Sequence, residues 1–237
     1  MTERRVDREM IETLNSMGIS NGMITSAAIT IILCVLSIIA GRRMQTVPTG
    51  LQNFVEWAIE GLYGFFESIM GAAACRKYFP LVGTLFIYIL ISNYSGLLPG
   101  AGHIAGLAPP TGSINCTAAM AIVVFVAVQA IGIREHHGLS YFKHLLKPFA
   151  FLLPLMILED LVKPISLTLR LYGNVFGEEM VTSSFFDLVP IGLPVVIQAL
   201  SVLMGLVQAL VFALLTGIYI KEALPEEDGG EVLPSHE

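Results

Sequence analysis

An apolar chain that carries fixed charge where lipid would lie has few ways to fold. The stretch from Phe149 to Met180, FAFLLPLMILEDLVKPISLTLRLYGNVFGEEM, is such a segment. Glu159, Asp160, Lys163, Arg170, Glu178 and Glu179 interrupt it, and Asp187 follows just beyond. An Arg, Lys or Asp at the centre of a bilayer costs roughly 2.5–3.5 kcal/mol even on lenient insertion scales. Such residues are kept where a partner, a water-filled cavity or a function compensates for them. Arg170 is the sharpest case, because a guanidinium does not give up its proton in a protein. It needs a carboxylate from another helix or another chain.

The remainder of the chain points the same way. Of its 237 residues 54% are hydrophobic and only 14% charged, against about a quarter charged in soluble domains. The expected fold is an all-α polytopic membrane protein, with about five membrane helices in a single membrane domain. Cys34, Cys75 and Cys116 show no metal-ligand spacing and read as small hydrophobes. The net charge of −6 is spread over loops and tails and names no partner.

Residues 1–20 form a polar tail. The first span is predicted over 23–40, with Arg42 and Arg43 as a stop-transfer flank rather than a signal-peptide site. Residues 51–70 repeat apolar positions at helical period, with Glu56, Glu60 and Glu67 on the other face. An acidic amphipathic helix does not suit anionic lipid. It is expected to pack on a protein partner near the cytoplasmic surface, or else on its own chain. Further spans are predicted over 81–98 and 114–133. The Gly/Pro-rich loop 99–113 has no Lys or Arg, whereas Arg76, Lys77, Arg134, Lys143 and Lys147 share the opposite side. The positive-inside rule makes that side cytoplasmic and puts the N-terminus outside. Residues 225–237 read as a flexible cytoplasmic tail.

Segments 148–188 and 190–224 are too long to cross a membrane upright. As helices they would reach about 50–60 Å, against a hydrocarbon core of about 30 Å. Two steeply tilted helices in a hairpin, joined by Val189-Pro190-Ile191-Gly192, fit best. Within them Glu159 and Lys163 stand i,i+4 in the order that favours an ion pair. Asn174 is placed to accept a hydrogen bond from Arg170, and Glu179 lies half a turn round the helix from it. Gln198, Ser201 and Gln208 are the polar positions of the last segment, and Gly205 and Gly217 permit close helix approach.

ILEDLVKPISLTLRLYGNVFGEEMV followed by VQALVFALLTGIYIKEAL closely resembles subunit a of the F-type ATP synthases, of bacterial and plastid type. TVPTGLQNFVEW, LISNYSGLLPG, LAPPTGSINCTAAMAI and HGLSYFKHLLKP match in order and spacing, so residues 46–222 are covered. The resemblance implies that Arg170 is the family's essential arginine, between two offset aqueous half-channels beside the c-ring. Asn174, Glu178, Glu179 and Gln208 correspond to positions on the non-cytoplasmic path. Glu159, Asp160 and Lys163 correspond to the charged segment nearer the cytoplasmic path. Ser201 stands where many bacterial members carry a histidine, and Ser113 where an Asp is common. A copied relay is therefore not expected, and water held by Ser201 and Gln198 is the replacement. Implied partners are the c-ring, peripheral-stalk b subunits, the lipid bilayer and the translocated ion, with H+ ahead of Na+. The implied location is the bacterial plasma membrane, with the plastid thylakoid membrane as the alternative. No cofactor, metal, nucleic acid or catalytic site is expected, since no phosphate-binding glycine loop is present. Two rivals stay open: an ion-coupled secondary transporter, which usually shows internal repeats, and a non-transporting scaffold.

Overall fold

The computed structural model describes residues 21–42, 51–98, 109–135, 153–188 and 193–225. The two tails, the turn at 47–50, most of the Gly/Pro loop, the basic connection 136–147 and the hairpin turn 189–192 lie outside the described residues. So do the side chains of Arg42 and Asp187. Among the described residues the chain is helical, without strands: α1 (Asn21–Arg42), α2 (Leu51–Met70), α3 (Ala72–Ser95), α4 (Ile114–Glu135), α5 (Leu153–Leu188) and α6 (Leu193–Ala223). A 3-10 turn at Pro110–Gly112 leads into α4. Helices α1, α3, α4 and α6 are each long and apolar enough to cross a membrane. The polytopic all-helical expectation stands.

Helix α6 is the central post. Its buried residues Ser201, Gly205, Gln208, Ala209, Phe212, Ala213, Thr216, Gly217 and Ile220 recur every three or four positions, which lines them along one stripe. Helices α2, α3, α4 and α5 all pack on it. Close approach is built from glycine: a Cβ on Gly205 would stand 3.2 Å from the Cβ of Asn93, and one on Gly217 3.1 Å from the Met70 sulfur. The apolar side of α2 turns inward through Phe66 and Met70. Its own chain therefore covers the C-terminal part of that face, while Val55, Ile59 and Phe65 of the same face and Glu60 stay exposed.

Of the predicted span 81–98, residues 81–95 lie in a helix that begins nine residues earlier, and 96–98 form the turn after it. Helix α3 starts at Ala72 and takes Arg76 and Lys77 into its first turns. Only Gly71 separates it from α2, at φ 86° and ψ 156°. That region of backbone space is open essentially to glycine alone, and other residues held there cost about 1–3 kcal/mol. Gly71→Ala is therefore expected to destabilise the chain by about that amount. The check is the amount of folded subunit that survives graded heating in detergent; an unchanged midpoint would contradict the strain.

Side-chain ties define the two ends of the bundle. At one end Lys77 meets Glu135 at 2.5 Å, Lys221 donates to the Ile69 carbonyl at 2.9 Å, and Lys163 meets Glu222 at 3.1 Å. Arg76 and Arg134 adjoin these residues, so the cations with described side chains, Arg170 apart, gather here. At the other end Gln198 donates to the Leu97 carbonyl at 3.1 Å, and Gly96 packs on Pro109. Helices α5 and α6 run antiparallel, with Lys163 opposite Glu222 and Asn174 opposite Gln208. Their 36 and 31 residues give lengths of about 54 and 46 Å. Both exceed the apolar core of a bilayer, about 30 Å.

Candidate ion-path site

Arg170 lies between the two ends. It is exposed on α5, and among the described residues it forms no ion pair and no hydrogen bond. Its helix is locally apolar: Ile165, Leu169 and Phe176 are exposed around it. One and two turns along, Gly173 and Gly177 meet nothing within 4 Å of where a Cβ would stand. A flat, open strip thus runs from the guanidinium toward the far end of the helix, and it leaves room for a neighbouring helix to approach closely.

Asn174 does not turn to Arg170. Its Nδ2 donates instead to Gln208 Oε1 at 2.6 Å, joining α5 to α6 one turn above the guanidinium. Gln208 is 4% exposed, and its own Nε2 is buried without a partner. Gln208 therefore reaches the Arg170 region through Asn174. Ser201 lies on the same stripe of α6, buried, with its hydroxyl donating to the Ile197 carbonyl at 3.0 Å. Gln198 reaches across to the turn that follows α3 rather than to α5. Ser201 and Gln198, the pair expected to hold water, thus each also have one backbone partner.

Glu178 is half-buried, and Glu179 is exposed. Glu179 sits beside the Pro110–Gly112 turn, with Oε2 3.7 Å from the place of a Gly112 Cβ. Nine residues separate it from Arg170, a rise of about 13.5 Å. The turn also holds Thr111, whose buried hydroxyl has no partner.

On the opposite side, Lys163 is shared. Asp160 lies at 3.0 Å, Glu222 at 3.1 Å and Glu159 at 3.9 Å. The expected Glu159–Lys163 pair is thus the longest of the three. Gln129 of α4 donates to Asp160 at 3.3 Å, and Lys163 stands 5.2 Å from the centre of the Tyr219 ring. Gln129, Asp160, Lys163 and Tyr219 border a small cleft between α4, α5 and α6, with Val124, Val128 and Leu167 beneath. Sequence reasoning missed Glu222 and Gln129. The signal for Glu222 was helical phase, because residues 219 and 222 fall on the side of α6 that meets α5. Asn93 was also passed over; its Nδ2 donates to the Gly205 carbonyl at 3.0 Å, and its Oδ1 is buried and unpaired.

On α5, Arg170 thus stands between the Lys163 cluster toward one end and Glu178 and Glu179 toward the other. Residues 23–221 match the ATP synthase A chain family. The chain belongs to that family. ATP synthase subunit a of Trichlorobacter lovleyi is 43% identical over 211 residues, covering 87% of this chain and 88% of that protein. The subunit a of Moorella thermoacetica is 42% identical over 207 residues, covering 87% and 92%. That of Geobacter sulfurreducens is 39% identical over 224 residues, covering 92% and 94%. As a member of the ATP synthase A chain family, the chain is a membrane-sector (Fo) component, and its apolar helices agree with that place.

Proposed function

We propose that this chain is the proton-translocating stator subunit of its ATP synthase, with two offset half-channels beside the c-ring and Arg170 at their junction. One observation carries the reading. Arg170 is exposed on a flat apolar strip of α5 and has no carboxylate partner among the described residues. The acids nearest along α5 toward the basic end are committed to Lys163, and Glu179 is about 13.5 Å away along the helix. The missing partner is an acid on the rotating ring.

The chemistry is electrostatic. A fixed cation at a low-dielectric junction lowers the pKa of an approaching carboxylate by about 1–3 units, so the ring acid gives up its ion there. The same charge repels protons and keeps the two water-filled paths from joining, as an arginine does in other pores. Glu179, beside its outward turn, supplies protons to the path that Glu178, Asn174 and Gln208 continue inward. Ser201 and Gln198 line its wall toward α3. Asp160, Glu159 and Lys163 flank the path at the basic end. Each charge that crosses gains about 2.3 kcal/mol per 100 mV, and rotation carries this energy to a catalyst elsewhere in the complex. Peripheral-stalk b subunits hold the chain still against the ring, and the bacterial plasma membrane holds both. No part of ATP chemistry falls to this chain.

The coupling ion is tested by ATP-driven pumping in inverted membrane vesicles. The expected result is a proton gradient that collapses with an uncoupler and does not respond to added sodium. A gradient that survives the uncoupler and requires sodium would overturn proton coupling.

A further inference from the structure

Of the three acids around Lys163, Glu159 and Asp160 belong to its own helix. Only Glu222 comes from α6. Glu222 therefore forms the sole ionic link, among the described residues, between the two helices that carry the path. Lys163, 21% exposed, lines the cleft, and Glu222 is 50% exposed. The Tyr219 ring supports the lysine from the same turn of α6. Asp160 is held in addition by Gln129, which extends the tie to α4. Directly beside Glu222, Lys221 fastens the last turn of α6 to the end of α2.

The second polar tie between α5 and α6 is Asn174–Gln208. The two ties bracket Arg170. Lys163 lies seven residues below it and Asn174 four residues above, rises of about 10.5 and 6 Å. A helix fastened to the same neighbour at two heights neither rolls nor slides between them. Cutting the lower tie leaves it a single polar pivot at Asn174, with Leu167 and Leu171 still packed.

We infer that Glu222 is a positioning residue for ion translocation: through Lys163 it holds α5 in register with α6, and so fixes the place of Arg170. Glu222 touches neither the ion nor the ring. Its loss shifts the guanidinium relative to the incoming acid, so the seal between the two paths weakens before assembly fails. The inference rests on the stator reading of Arg170, which the test checks alongside it.

The experiment uses the whole ATP synthase in inverted vesicles, with Glu222→Gln, Glu222→Asp and Arg170→Ala compared at measured amounts of membrane-bound complex. Glu222→Gln keeps the size and removes the charge. It is expected to lower protons pumped per ATP hydrolysed by about two- to fivefold, the reach of a partly exposed ion pair, and to raise passive proton leak. Glu222→Asp restores the pair and most of the ratio. A merely structural role would lower hydrolysis and pumping together, in proportion to the complex present. Such a proportional loss, or an unchanged ratio in Glu222→Gln, overturns the inference. If Arg170→Ala still pumps, the stator reading itself falls. If Arg170→Ala is silent while Glu222→Gln pumps normally, only the positioning role is removed.

Discussion

Arg170→Ala is expected to stop coupled transport while leaving the complex assembled. A shift of 1–3 units in the ring acid is worth about 10- to 1000-fold in its ion-release equilibrium, and the substitution removes the source of that shift. Both ATP-driven pumping and gradient-driven ATP synthesis should fall by at least about 100-fold, toward the upper part of that range. Passive proton leak should rise, because the charge that separates the two paths is gone. Folding should be little affected: Arg170 is exposed and has no ionic partner among the described residues. Immunoblots of membranes and detachable ATPase activity report assembly separately from transport. Arg170→Lys keeps a charge but not the planar fork that meets a carboxylate at two points, so it should retain little activity. Normal pumping by Arg170→Ala would refute the proposed junction, and loss of the subunit from membranes would favour a scaffold.

Glu179→Gln carries the second-largest expected effect. Glu179 is exposed and next to the Pro110–Gly112 turn, where the proposed path would open to the side opposite the basic end. Positioned proton-transfer groups contribute about 10²–10⁴-fold when nothing replaces them. At the water-filled mouth proposed for this carboxylate, solvent would replace part of its role, so the loss should be nearer tenfold. It should appear in proton flux in both directions, since the same site serves entry and exit. Glu179→Asp, with the proton-carrying group retained, should recover much of the flux. Stopped-flow measurement of vesicle acidification at equal complex content is the check. Flux within twofold of wild type would remove Glu179 from the path.

Much of this architecture could be read from residue type and spacing alone. Run length and helical period located the apolar helices and the long final pair, because burial and lipid both demand continuous apolar faces. Arg170 stood out because a permanent charge in an apolar segment admits few explanations. The corner at Gly71 was harder. Arg76 and Lys77 stand before the span predicted from 81, yet a helix end tolerates exposed cations, and one glycine suffices to turn the chain. The partners of Lys163 were harder still. Glu159 was chosen by i,i+4 spacing, whereas the helix puts Asp160 closer, and the partner from α6 depends on how two helices cross. Asn174 shows the same limit: its i+4 place beside Arg170 was legible, but Gln208 lies 34 positions away in sequence. Local pattern reports which face a residue occupies. It does not report what stands opposite.

The paired anchors on α5 also constrain how the chain can vary. Lys163 and Asn174 are eleven positions apart, about three turns, and each has a fixed counterpart on α6. Adding or removing a single residue between them would swing one anchor about 100° away from its counterpart. Insertion and deletion are therefore closed to this segment even at positions where substitution is tolerated. Its length is a dimension of the machine, in the way that the spacing of teeth is for a gear.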